Sequence, residues 1–268
     1  MNIILYKNLK LKMEILIISI VAFLAALLTF FSGFGLGTIL TPVMLIFFPP
    51  EIAISLTGIV HFCNNIFKLS IIGKQFNKEV LIKFGIPAVL FAFVGSYALF
   101  FISNDNLFTY SLIENEINVS YLQFIIAIIL IAFALIDLIP FFKKLKFNKS
   151  ILPMGGILSG FFGGLTGNQG ALRSAFLIKM DLDKTVFIAT TVVISFFVDL
   201  TRIGVYFSNI KDFDISNYLV LGFAAIFSAV AGSFLGFKSL KKITLNYIRN
   251  LVAIMILLIA FLLLLGVL

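Results

Sequence analysis

The sequence predicts an all-α polytopic membrane protein made of two homologous halves. Three observations carry that prediction. Of 268 residues, 61% are hydrophobic and 12% charged, with a mean hydropathy of +1.16. Soluble domains carry about a quarter charged residues, so lipid must cover part of this apolar surface. The apolar runs are continuous and about twenty residues long, unlike the ~10-residue alternating strands of a membrane β-barrel. Finally, the two halves repeat, each with a glycine-rich break followed by a short apolar piece.

The chain begins with Lys7, Lys10 and Lys12 ahead of an apolar run, in the manner of a signal peptide. No A-x-A cleavage site follows, and a similar run recurs in the second half, so the segment is read as retained. Eight apolar segments are expected to be helices: 13–31, 53–72, 80–102, 121–142, 151–165, 185–208, 215–236 and 247–268. Two further pieces, 37–48 and 170–180, cannot cross ~30 Å of hydrocarbon at 1.5 Å per residue. The first follows the break in "FSGFGLGTILTP", with Gly33, Gly35 and Gly37; the second follows "GFFGGLTGNQGALRS", with Gly163, Gly164, Gly167 and Gly170. They are expected as half-helices near the membrane midplane. The one long polar loop is 103–120. These features divide the chain into a first repeat (1–142), a basic connecting loop (143–150, containing "KKLKFNK") and a second repeat (151–268).

The repeat has a fixed register. Gly33 and Gly167 are 134 residues apart, as are Thr57 and Thr191, Asn65 and Asp199, and Lys68 and Arg202. If each half crosses four times, the halves are parallel; with the N-terminus inside, the cytoplasm receives eleven Lys/Arg and the outside six. If each glycine-broken pair makes no net crossing, the halves are inverted; with the N-terminus outside, the counts become thirteen and four. Lys68, Arg173 and Arg202 stay at membrane depth in both counts. The excess of cytoplasmic positive charge favours inverted halves, while the basic N-terminus argues against them.

At 100° per residue, Thr57, His61, Asn64, Asn65 and Lys68 fall within about 100° of arc on their helix. In the second copy Thr191, Ser195, Asp199 and Arg202 occupy the same arc. An unpaired Lys or Arg at the bilayer centre costs roughly 2.5–3.5 kcal/mol, so two matched stripes are expected to face each other or a wet cavity. The structural alternative is that Lys68 snorkels to the interface and that Asp199 and Arg202, at i,i+3, neutralise one another.

A helix starting inside the membrane presents unpaired N–H groups that attract anions. Thr38, Asn168 and Gln169 add neutral polar groups at the two breaks, and Arg173 adds charge one turn in. Together these residues describe a site for a small oxyanion. The alternative, that the glycines serve only close helix packing, fits one break better than two matched ones.

Other function classes are poorly supported. The net charge of +8 lies between apolar runs rather than on a basic face, which speaks against nucleic acid. One cysteine, Cys63, excludes an internal disulfide and a CxxC motif. One histidine, without HExxH or GxSxG, gives no support for an intramembrane enzyme, a metal site or a cofactor. His61 lies on the stripe, where it can carry a proton as coupling ion or form a packing hydrogen bond. Cys63 is read as a packing residue, Asp137 as a charge near a helix end, and the 33 phenylalanines as lipid-facing.

"GFGLGTILTP" resembles the G-x-G-G-G-x-x-x-x-P signature of the TauE/SafE sulfite exporter family, within the toluene sulfonate uptake permease superfamily. "PPEIAISLTGIVHFCNNIFK" is similar to that family's P-x-x-A-x-x-[ST] helix. "GGLTGNQGALRSAFL" followed by "FIATTVVISFFVDLTR" resembles the second copy. Leu36 replaces a signature glycine, and the second copy lacks the glycine run and the following proline. The resemblance covers nearly the whole chain. It implies a multi-pass permease of a prokaryotic inner or plasma membrane that handles sulfite, thiosulfate, sulfoacetate or another organosulfonate. An anion channel, or a transporter of an unrelated metabolite, is the competing reading.

Overall fold

The computed structural model describes residues 3–30, 35–112, 115–139, 149–177, 180, 182–209, 215–239 and 245–268. Among them are ten α-helical segments: α1 (Ile3–Thr29), α2 (Leu36–Leu45), α3 (Pro50–Ile72), α4 (Lys78–Phe101), α5 (Tyr121–Leu138), α6 (Leu152–Thr166), α7 (Gly170–Leu177), α8 (Lys184–Asn209), α9 (Ile215–Ser239) and α10 (Leu245–Leu264). The chain is thus an α-helical, multi-pass membrane protein. Five helices are long and apolar enough to span a bilayer: α1, α3, α4, α8 and α9. The sequence pattern predicts eight. The described apolar parts of α5 and α10 are shorter, at Tyr121–Ile136 and Ala253–Leu264, and α6 stops after 15 residues.

Local chemistry sets the boundaries. Asn77 caps α4, its side chain accepting from the Val80 amide. Ser120 and Gln123 form a capping box at the start of α5. Pro50 begins α3, where a missing N–H costs nothing. Gly167 ends α6 at φ 75° and Gly35 precedes α2 at φ 121°, both in the left-handed region open to glycine. The expected half-helices are therefore present as α2, of 10 residues, and α7, of 8.

The loop expected at 103–120 is not irregular. It holds an antiparallel hairpin, β1 (Asn106–Leu112) and β2 (Asn115–Ser120), in which Thr109 faces Asn118 and Tyr110 faces Ile117. Thr, Tyr, Phe, Ile and Val suit an extended chain, a signal masked in the sequence by the loop's polarity. The hairpin closes on the end of α10 through the Tyr110 hydroxyl and the Leu265 carbonyl.

Three helix pairings organise the bundle. Helices α3 and α8 cross antiparallel: Gly58 lies beside Arg202 and Tyr206, while the Asn77 amide after α3 bonds Thr190 near the start of α8. Phe62 and Phe196, 134 apart, stack with centroids 5.2 Å apart. Helices α4 and α6 run parallel, since Gly156, Gly160 and Gly164 meet the carbonyls of Phe84, Ala88 and Ala92 in turn. Helices α1 and α9 do the same, with Gly232 against Phe23 and Gly236 against Leu27. In the register read from the sequence, α1 aligns with α6 and α9 with α4, so each of these two pairings joins one helix from either side of the 143–150 segment.

The phenylalanines divide in two. Phe101 is 82% exposed and Phe227 72%, as expected of lipid-facing residues, but Phe30 and Phe84 are fully buried core.

The glycine contacts are testable. A Cβ at Gly160 would lie 2.0 Å from the Ala88 carbonyl oxygen, whereas at Gly204 it would meet nothing within 4 Å. Gly160→Val should cost more than the roughly 1–3 kcal/mol of ordinary overpacking, because backbone must move. Gly204→Ala should leave detergent melting unchanged or slightly raised. Equal melting temperatures for the two variants would refute close α4–α6 packing.

Candidate functional site

The two breaks meet. A Cβ at Gly37 would lie 2.9 Å from the Gly167 carbonyl oxygen and 3.9 Å from His61 Cδ2. The Thr38 hydroxyl donates to Asn168 Oδ1 at 2.8 Å. That bond turns the Asn168 amide nitrogen away, and it has no hydrogen-bond acceptor among the described residues. The Thr41 hydroxyl and Arg202 Nη1 lie 3.0 and 3.4 Å from the Cβ position of Gly167. Only glycine leaves this space open.

Asp199 forms the centre. It is fully buried and receives four donors. His61 Nδ1 stands 2.6 Å from Oδ2, and Asn65 Nδ2 donates to the same oxygen at 2.8 Å. Gln169 Nε2 and Arg202 Nε each donate to Oδ1 at 3.0 Å. Arg202 Nη2 adds an ion-pair contact at 2.8 Å. A carboxylate has about four lone-pair sites, so this one is saturated as an anion. The His61 tautomer follows from the same network: Nδ1 carries hydrogen to face the carboxylate, and Nε2 is left as the other ring nitrogen. The 3.1 Å approach of Asn65 Nδ2 to His61 Nδ1 then sets donor beside donor and is not a bond.

The network continues outward. Arg173, fully buried, donates through Nη1 to Gln169 Oε1 at 3.2 Å. Ser159 holds the Gln169 carbonyl at 3.0 Å. The Tyr206 hydroxyl, one turn beyond Arg202, donates to the Gly164 carbonyl and pins α8 to the end of α6.

Every member of both predicted stripes is buried, but they divide by role. The structure brings together Gly37, His61, Asn65, Gly167, Gln169, Arg173, Asp199 and Arg202, with Asn168 and Gly170 at the second break. Gly35 serves as the turn before α2. Thr191 and Ser195 spend their hydroxyls on their own helix, bonding the carbonyls of Ile188 and Thr191. Thr57 makes no hydrogen bond among the described residues. Lys68 stands apart: its Nζ lies 5.3 Å from the Phe30 ring centroid, and no described carboxylate is within ion-pair distance. Gly33 and the 143–148 part of the basic loop lie outside the described residues, as does the side chain of Asp137.

Sequence reasoning pairs Asp199 with Arg202 and misses its partners across the chain. It also misses Tyr206, Thr41 and Ser159. Tyr206 continues the stripe at i+4 from Arg202, which is the signal that could have found it.

The hub predicts an order of damage. In Asp199→Asn an amide replaces an acceptor with four donors aimed at it, and Arg202 loses its countercharge. That should cost about 3–5 kcal/mol. Arg202→Gln still leaves Asp199 with His61, Asn65 and Gln169, and should cost less. Detergent melting curves of the two variants should show this ranking; the reverse would mean Asp199 is not the centre of the network.

The profile of one protein family, Sulfite exporter TauE/SafE, matches residues 18–263. No curated protein and no solved structure matches the chain significantly. The matched region takes in both glycine breaks, the α3–α8 crossing, helices α4, α6 and α9, and the part of α1 that packs on α9. The chain therefore belongs to the TauE/SafE sulfite exporter family of membrane transporters.

Proposed function

We propose that this protein is a permease for a small sulfur-containing oxyanion or organosulfonate, such as sulfite, thiosulfate or sulfoacetate, in a prokaryotic plasma membrane. The observation that carries the reading is the meeting of two half-helix N-termini beside Arg173 and Arg202. Against these two buried cations stands one carboxylate, Asp199, and Lys68 on the α3 stripe is a third buried cation. The excess charge is positive, and the Asn168 amide has a donor to offer an arriving oxygen. The substrate-binding residues proposed are Gly33, Gly35, Gly37, Thr57, His61, Asn65, Lys68, Gly167, Asn168, Gln169, Gly170, Arg173, Thr191, Ser195, Asp199 and Arg202. Among them Asn168, Arg173 and Arg202 contact the anion, and Asp199, Asn65 and Gln169 hold the cations in place. Thr191 and Ser195 shape the helix wall.

The two halves are read as inverted repeats. The antiparallel crossing of α3 and α8 supports this, because those helices are equivalent in the repeat and a two-fold axis along the membrane normal would make them parallel. The turn after α2, the start of α9, the hairpin and the end of α10 gather at one end of the bundle. The starts of α4, α6 and α8 gather at the other. The second end carries Lys74, Lys78, Lys83, Lys149, Lys184 and Lys238 with Glu79 and Asp183, and the first carries Lys10 and Lys12 with Glu14, Glu51, Asp105 and Glu116. Positive charge at the second end supports its placement in the cytoplasm.

Two experiments test these readings. On a Cys63→Ser background, single cysteines at 75 and 238 should both be labelled from the cytoplasmic side and one at 105 from outside; labelling of 238 from the outer side would end the inverted arrangement. In a thermal-shift screen against sulfite, sulfate, thiosulfate, taurine and sulfoacetate, a bound anion at about 100 times its Kd adds about 2.7 kcal/mol. At least one should raise the melting temperature by several degrees, and Arg173→Gln should abolish the shift. No shift with any of the five would count against an anion permease.

A further inference from the structure

From the geometry we infer that His61 is the proton-binding residue of the transport cycle, Nε2 taking one proton that travels with the anion. The inference rests on the anion-permease reading and adds its coupling ion. Three observations place the proton on this atom rather than on its neighbours.

The first is the saturation of Asp199. Its two oxygens accept from His61, Asn65, Gln169 and Arg202, so a proton arriving there would have to displace a donor. The second is the His61 tautomer. With Nδ1–H held by Asp199 at 2.6 Å, the ring's remaining basic atom is Nε2. The third is position. The Cδ2–Nε2 edge of the ring faces the Gly37 break, since Cδ2 lies 3.9 Å from the Cβ position of that glycine. His61 is also the part of the hub that touches open space: its side chain is 10% exposed, while those of Asp199 and Arg202 are 0%.

The charges around the ring make the coupling obligatory in sign. Asp199 and Arg202 face it from α8, and Arg173 from α7. Helix α2 brings no titratable side chain, and α9 brings only Tyr218 and Lys238, near its two ends. On α3 itself the titratable groups are Glu51, Cys63 and Lys68. A proton on Nε2 gives an imidazolium beside two arginines and one carboxylate. That state is unfavourable in the empty site and favourable once an anion occupies the break. By reciprocity, anion binding raises proton affinity and protonation raises anion affinity by the same factor. The proton enters the Nε2 lone pair from the side where the anion binds. After the anion leaves on the other side, the proton returns to water there.

The test uses the full-length protein in liposomes with a trapped pH indicator. Thiosulfate and sulfoacetate serve as probes because both stay ionised through the neutral range. Expected is anion entry with acidification of the lumen, at about one proton per anion, and anion accumulation on the alkaline side of a pH gradient. In His61→Asn an amide N–H replaces Nδ1–H toward Asp199, but no atom takes the proton. In this variant the number of protons entering per labelled anion should fall at least tenfold, whatever rate of anion entry remains. His61 is the single histidine of the sequence, so tag-free wild-type protein labelled with 15N-histidine gives a second measurement that needs no variant. Its resonances should report Nδ1–H without anion and shift to the doubly protonated ring when anion is added. Anion entry without lumen acidification, an undiminished number of protons per anion in His61→Asn, or 15N resonances unmoved by anion would each overturn the inference. Failure of both probes in counterflow would instead overturn the permease reading, and this inference with it.

Discussion

A carboxylate buried away from water must be given donors, and Asp199 has four. That requirement holds the rest of the structure together. The donors come from three separate pieces of chain: α3, the break before α7, and α8 itself. His61 and Asn65 are one helical turn apart, so both reach the carboxylate only where α3 passes directly across α8. Gln169 reaches it only because α6 ends at Gly167 and the chain crosses the interior before α7 begins. The break is thus a structural condition for satisfying Asp199 as well as an opening for an anion. Separating the halves would strip two donors, His61 and Asn65, from a buried charge, a strongly destabilising loss.

Such a centre needs helices that come very close, in a medium where burial of apolar side chains gives little driving force between helices. Small residues supply the closeness. The Gly156, Gly160, Gly164 row lets α6 lie against the carbonyls of α4, and Gly232 and Gly236 let α9 lie against α1. Gly164 also places its carbonyl where Tyr206 can bond it, so the packing row and the polar centre share a residue. Each glycine-packed pair joins a helix of one half to a helix of the other, as the charged α3–α8 crossing does.

Much of this was legible in the sequence, and the illegible part has a physical reason. Period and polarity place Thr57, His61, Asn65 and Lys68 on one face and Thr191, Ser195, Asp199 and Arg202 on another, because helical geometry is local. The glycine breaks announce themselves by composition and by the shortness of the helix after each. The i,i+3 ion pair of Asp199 with Arg202 is likewise local. What a single sequence does not encode locally is which member of one stripe meets which member of the other. His61 is 138 residues from Asp199, and no pattern along the chain pairs them. Lys68 shows the converse: it is equivalent to Arg202 along the chain, yet what the structure sets beside its Nζ is the Phe30 ring. The hairpin was hidden because short strands carry weak signals beside twenty-residue apolar runs.

The departures from repeat symmetry at the centre have a cause in the symmetry itself. Asn65 and Asp199 are equivalent positions, 134 apart, and they bond each other at 2.8 Å. Phe62 and Phe196 are also equivalent and stack on one another. Residues that meet their own counterparts sit where the two copies cross. At such a position identical apolar residues are compatible, because two rings can stack. Identical carboxylates are not, since two like charges about 3 Å apart cannot both stay ionised. One copy must therefore carry the neutral partner, and Asn65 is that partner, nearly isosteric with aspartate but able to donate. The same asymmetry frees the first copy's cation: Lys68 has no equivalent of Asp199 beside it, whereas Arg202 is bound. At this crossing the repeat yields a centre with a negative and a neutral side. His61, whose counterpart is Ser195, stands where the two sides meet.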